Sequence, residues 1–348
     1  MRRLLAAISI FWMTGSLNAQ DADINQNSAG YIPVISGAIG YIYNVNGGVP
    51  ALAPQINPVL LVPFGSHVLL ESHTDFIGFF QRENQTSGPY KGKVYKTVES
   101  AQIDWLANTH LIAVAGRYLL PFGLYNERLS PLWIHNLADG PITSAIGILP
   151  GGSADGIMLR GVLRQTPSYS IQYSSYFSTR SSVNQLEAAR SAGGDISIYL
   201  TDRRLEVGGS YQRYLQDHEM NSVAGYASWQ PPHTSVDVKF EFDRSYNGYG
   251  YWLEAAYFFN QTPIKPAFLK RMQLVGRMQQ FYPLHGGGNS LPQVNTERFD
   301  TGLNYYIGDD FRLISSYGRQ FNSPENVNVW NVGFSYRFIW PLWPERKK

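Results

Sequence analysis

From about residue 36 to about residue 340 the chain returns repeatedly to segments of roughly ten residues in which apolar and polar side chains alternate, separated by Gly, Pro, Asn, Asp or Ser. A period of two belongs to strands with two unlike faces, and no helical periodicity of comparable length competes with it. In the last segment Trp330, Val332, Phe334, Tyr336, Phe338 and Trp340 share one face, and Asn331, Gly333, Ser335 and Arg337 share the other. Between Thr234 and Asp243, Val236, Val238, Phe240 and Phe242 oppose Asp237, Lys239, Glu241 and Asp243. From Ile157 onward Met158, Arg160, Val162 and Arg164 oppose Ile157, Leu159, Gly161 and Leu163; farther on, Arg271, Gln273, Arg277 and Gln279 oppose Met272, Leu274 and Met278. Faces this charged are hard to bury in a dry core, because an unpaired buried charge costs several kcal/mol. An apolar face turned to lipid and a polar face turned to water remove that cost. The pattern therefore predicts an all-β fold, a transmembrane antiparallel up-and-down β-barrel over residues 36–340.

Connection lengths support the same reading. Short turns are expected at Pro63-Phe64-Gly65, near Ala107-Asn108, at Pro167-Ser168, Asp202-Arg203, Pro231-Pro232-His233, around Pro263 to Pro266, and at Gly308-Asp309-Asp310. Longer links fall between them, over 46–55, 81–91, 120–155, 179–192, 215–220, 244–249, 282–294 and 321–326. Alternating short and long connections suit periplasmic turns and extracellular loops, and the count comes to about 16 strands with both termini on the periplasmic side. Ile56 to Val62 is the weakest strand, since Pro58 removes a ladder donor; if it is a loop, about 14 strands remain.

The N-terminus carries Arg2 and Arg3, an apolar run from Leu4 to Met13, and a small-residue end at Leu17-Asn18-Ala19, which together read as a secretory signal peptide over residues 1–19. A lead over 20–35 precedes the barrel, and a periplasmic tail over 341–348 follows it. The expected destination is the bacterial outer membrane, with its lipids as partners. The full chain has 28 basic and 26 acidic residues, so loss of Arg2 and Arg3 leaves 26 against 26, a balance that gives no sign of a nucleic-acid partner. There are no cysteines, which removes disulfides, thiolate metal sites and cysteine nucleophiles. No Gly-x-Ser-x-Gly, His-Glu-x-x-His or Walker pattern occurs, and His67 and His73 lack metal-ligand spacing. No enzyme, metal or cofactor is expected.

By parity the lumen should be lined by Arg117, Arg160, Arg164, Lys239, Arg271, Arg277, Arg298, Arg312 and Arg337, faced by Glu71, Asp75, Glu206, Asp237, Glu241 and Glu254. The signs nearly balance, which favours cross-strand ion pairs over a dedicated anion path. Trp252 is the one tryptophan placed inward by parity. The link from Leu120 to Asp155 is too long and too apolar for a solvated tail, carrying Phe122, Trp133, Ile134, Ile146, Ile148 and Leu149. Two dispositions fit it. One folds it into the barrel, with Glu127, Arg128, Trp133, His135 and Asp139 forming a constriction; the other is a folded extracellular cap.

The block Gly116-Arg117-Tyr118-Leu119-Leu120-Pro121-Phe122-Gly123-Leu124-Tyr125-Asn126-Glu127-Arg128 resembles the Gly-Arg/Lys, spacer, Pro-Phe-Gly block of the phosphate-selective porin O and P family and related bacterial porins. The resemblance implies a 16-stranded barrel, in some cases a homotrimer, with passive transport of small anions or neutral solutes. Phosphate selectivity in that family goes with dense basic ladders, from which this near-balanced lumen departs. The function expected is passive diffusion of small hydrophilic solutes or ions, at most weakly anion-preferring. The alternative is a non-conducting barrel acting as a receptor, adhesin or structural protein.

Overall fold

The computed structural model of the protein describes residues 32–83, 87–129, 132–144, 152–179, 190–215, 220–261, 267–285, 291–322 and 325–342. The expected signal peptide and the last six residues of the expected tail lie outside these. Alternating segments become strands β1 (Val34–Asn46), β2 (Val49–Phe64), β3 (Val68–Arg82), β4 (Tyr90–Asn108), β5 (Leu111–Leu119), β6 (Ser153–Gln165), β7 (Tyr169–Thr179) and β8 (Ser191–Leu200). The second half supplies β9 (Leu205–Tyr214), β10 (Asn221–Trp229), β11 (Val236–Arg244), β12 (Gly248–Phe258), β13 (Met272–Pro283), β14 (Thr296–Ile307), β15 (Phe311–Asn322) and β16 (Asn326–Pro341). Each strand pairs with its neighbours in sequence, and β1 pairs antiparallel with β16 from Val34↔Pro341 to Asn46↔Val329, closing a 16-strand barrel without free edges.

The barrel is inside-out relative to a water-soluble protein. On β14 the buried side chains are Thr296, Arg298, Asp300 and Asn304, while Phe299 and Leu303 are 54% and 42% exposed. On β11 Lys239, Glu241 and Asp243 are buried and Phe240 and Phe242 exposed; on β13 Gln273, Arg277 and Gln279 are buried, and Leu274 and Met278 exposed. Large apolar side chains cover the outside around the whole circumference, from Ile39 on β1 to Trp340 on β16. Such a surface is stable in lipid and not in water.

Three local features depart from the sequence reading. The long link expected at 46–55 is instead a tight hairpin: Gly47 and Gly48 take φ of 57° and 82°, the left-handed pair of a primed turn, and β2 starts at once at Val49. Ile56 to Val62 is thus the inner part of a 16-residue strand. Its pairing with β3 passes over Ala53-Pro54 and Asn57-Pro58, so the strand tolerates its prolines by leaving ladder positions empty. The turn expected near Pro263 is longer, with 3-10 turns at Phe259–Gln261 and Ala267–Arg271. On β16 Phe338 is buried rather than exposed, its ring lying over the side-chain-free Gly37 opposite it.

Candidate functional site

Between β5 and β6, residues 120–129 and 132–144 fold into the lumen and bind the far wall. The segment enters through a buried Leu120-Pro121-Phe122-Gly123-Leu124 stretch and forms a single helical turn, α1 (Tyr125–Leu129). Asn126 holds the two ends together, its Nδ2 donating to the carbonyls of Leu120 at 2.9 Å and Gly152 at 2.8 Å. The backbone N–H groups of Leu124 and Tyr125 both donate to Glu241 Oε2 on β11, and Gly123 N donates to Ser210 Oγ on β9 at 3.0 Å. A carboxylate opposite the first amides of a helical turn satisfies donors that have no intrahelical partner. Leu124 and Leu129 pack with Tyr226 and Trp252 in one buried cluster, and Arg128 pairs with Glu206 at 2.5 Å.

Beyond α1 the segment runs along β12 to β16. Arg312 on β15 donates to the carbonyls of His135 at 2.6 Å and Leu132 at 3.0 Å. Asn136 is a hub: it donates to Glu254 Oε1 at 2.9 Å, accepts from Gln273 Nε2 at 3.1 Å, and its carbonyl accepts from Asn304 Nδ2 at 2.7 Å. Asp139 receives Arg298 Nη2 at 2.6 Å and Asn331 Nδ2 at 3.0 Å, and its carbonyl accepts from Arg277 at 2.9 Å. Leu137 joins Ala256 and Val275 in a small apolar seat. Two glycines make the approach possible: a Cβ on Gly40 would stand 2.2 Å from Leu132 Cδ2, and one on Gly302 would stand 2.4 Å from Leu137 Cδ2.

His135 stacks on Tyr125 with ring centroids 5.3 Å apart, and its Nε2 lies 3.2 Å from the Tyr125 hydroxyl. Burial, with the Arg312 and Arg277 charges adding to it, holds the imidazole down to about 4, so it is neutral at neutral pH. Burial also raises the Tyr125 phenol, which stays protonated. Trp133 is half-buried in the turn before His135. The side chain of Glu127 lies outside the described residues.

Apart from Arg164 and Arg271, the other bases named from sequence are engaged as well. Arg117 is buried and reaches both Asp155 oxygens at 3.1 Å, with Nε donating to the Val98 carbonyl at 2.6 Å. Arg160 pairs with Asp104 at 2.7 Å, and Lys239 pairs with Asp237. Arg277 lies 3.7 Å from Glu254 and 3.4 Å from Asp300; Arg298 lies 2.7 Å from Asp300. Arg337 is held by Asp310 in the β14–β15 turn at 3.1 Å, near the barrel's end. Glu71 and Asp75 are buried on the inward face of β3.

Two positions are corrected. A β-bulge between Val162 and Arg164 slips the parity of β6, pairing Arg164 with Ile171 on the outward face of β7, where its guanidinium lies 5.9 Å from the Tyr169 ring. Arg271 belongs to the 3-10 turn before β13 and is exposed, so strand parity does not reach it. Sequence parity also missed Asp300, Asn136 and Asn304. Asp300 follows from alternation with Arg298, but nothing local marks Asn136 as a hub.

No protein-family model and no curated protein sequence matches the chain. Solved structures do match in shape. OmpF of Salmonella typhi in complex with daunomycin aligns with a TM-score of 0.60 at 11% identity, covering 88% of this chain and 97% of that one. The fold is that of outer-membrane porins. A loop-deletion mutant of OmpT, an outer membrane protein of Vibrio cholerae, aligns at 0.54 with 10% identity over 88% and 99% of the two chains. An anion-selective porin from Comamonas acidovorans aligns at 0.51 with 9% identity over 88% and 98%. At these identities the porin likeness is one of architecture.

Proposed function

We propose that this chain is a porin of the bacterial outer membrane, exported by its N-terminal signal and passing small hydrophilic solutes by diffusion. The observation that carries the reading is a lipid-compatible barrel with a charged inner face, narrowed by a segment fastened across its lumen. Transfer would proceed past fixed charges and loop backbone without chemistry or an energy source. The inward Arg and Lys side chains are bound to carboxylates or loop carbonyls, which supports weak charge preference rather than a phosphate-selective ladder. A homotrimer is the assembly implied by the sequence resemblance.

One observation favours the second reading, a sealed barrel acting as a receptor or structural protein. Inward side chains on β2 to β4, away from the loop's anchors on β9 to β16, are also buried, with Asn57 at 3% and Asp104 at 2% exposure. Liposome swelling separates the two. A porin admits small neutral sugars with a rate that falls steeply with solute size; vesicles with the folded barrel that swell no faster than empty ones support the sealed form.

A further inference from the structure

The inward wall of β2, β3 and β4 carries polar atoms that nothing else in the described structure satisfies. Asp75 Oδ1 holds two neighbours: Asn57 Nδ2 donates to it at 2.6 Å, and His73 Nε2 lies 3.0 Å away. The opposite atoms, Asn57 Oδ1 and His73 Nδ1, have no hydrogen-bond partner among the described residues, and His73 Nε2 meets Asp75 at ion-pair distance without hydrogen-bond geometry. Ser100 lies directly across from His73 in the β3–β4 register, and its Oγ has none either. Asn57, His73 and Ser100 are only 3%, 1% and 3% exposed. Buried polar atoms in native structures are nearly always hydrogen-bonded, so three together on one wall require a partner.

The charge of the wall says what kind. Glu71 and Asp75 on β3 and Asp104 on β4 face inward, and Glu99 is the extra residue of the bulge beside His73. Of the nearby bases, Arg160 is committed to Asp104 and Arg117 to Asp155, and His73, when protonated, is the one cation that faces Asp75 itself. The facing β2 residues, Asn57 and Val59, are uncharged. An ammonium head offers three N–H donors and one positive charge, whereas a quaternary ammonium offers only the charge. We propose that this wall is a binding site for the primary ammonium group of a small cationic solute, seated among Asn57 Oδ1, His73 Nδ1 and Ser100 Oγ and neutralised by Asp75. The ligand's access through the lumen rests on the porin reading. His73 must be neutral to accept, so its proton and the ammonium compete, and binding strengthens as pH rises.

The test is calorimetric titration of the refolded full chain in detergent with methylammonium chloride and, separately, tetramethylammonium chloride at equal ionic strength. Wild-type protein should bind methylammonium at least about tenfold more tightly than tetramethylammonium, since only the former can make charge-assisted hydrogen bonds. Asp75→Asn should weaken methylammonium binding by about tenfold or more, and Ser100→Ala by about threefold. Each variant is first shown to be a folded barrel by its heat-dependent gel mobility; Ser100→Ala removes a single oxygen and keeps the question answerable if Asp75→Asn does not fold. Equal binding of the two cations, no binding of methylammonium, or unchanged binding in Ser100→Ala overturns the site. Swelling of liposomes is scored independently: binding without solute entry contradicts the porin reading alone, and entry without methylammonium discrimination contradicts the site alone.

Discussion

At the scale of single residues, the lumen is organised by ion pairs that fasten a loop. Arg298 is the clearest case, bound at once to Asp139 on the loop and Asp300 on its own strand. Arg298→Ala would leave Asp139 without its cation and Asp300 with Arg277 alone, at a cost of about 3 kcal/mol for breaking a buried pair. We predict a loosened loop, read as larger and noisier single-channel currents and new protease cuts within residues 132–144. Arg164 supplies the contrast, because the bulge turns it outward: Arg164→Gln should leave the reversal potential under a salt gradient unchanged. A clear shift would mean that the bulge is not where the register places it.

His135 gives the docked loop a pH dependence whose sign is fixed. Its imidazole titrates near 4 when docked, below the ordinary 6.5, because burial and the charges of Arg312 and Arg277 oppose its protonation. A released loop binds the proton more readily, so docking is at full strength above about pH 6.5 and weakens as pH falls toward 4. Protease sensitivity of the loop should rise between pH 7.5 and 5 in the wild type. His135→Phe should flatten that rise.

At the scale of elements, the strands were legible because lipid outside and polar groups inside enforce a strict period of two, as the alternation of apolar and charged residues from Val236 to Asp243 on β11 shows. Legibility failed where the backbone breaks that period. The slip at Val162/Arg164 shows no local signal in a run that otherwise alternates cleanly; Pro50 and Pro54 lie in the stretch read as a link over 46–55, and Pro58 made Ile56 to Val62 the weakest strand of the count, although both belong to one strand. The connection after β1 was read as a long link over 46–55, whereas Gly47-Gly48 is the whole of it. Since Gly48 holds φ at 82°, Gly48→Val should destabilise the β1–β2 hairpin by about 1–2 kcal/mol and slow refolding into detergent, followed by gel mobility.

At the scale of the whole molecule, the architecture was readable from period and turn spacing, whereas the course of residues 120–129 and 132–144 was not. Its composition fitted an inward fold and a cap alike; only three-dimensional closure brings Arg277, Arg298 and Arg312 from β13 to β15 into reach of Leu132, His135 and Asp139. The basic wall is thereby spent on holding the loop, and the acidic wall of β2 to β4 is left opposite it. That division supports a pore with its narrowest point set by the loop.

Single-channel recording of the refolded protein in planar bilayers tests this most directly. The account predicts discrete, stable conductance steps, a small reversal potential under a salt gradient, and larger steps in Arg298→Ala. A correctly folded barrel that stays silent in both proteins would contradict it.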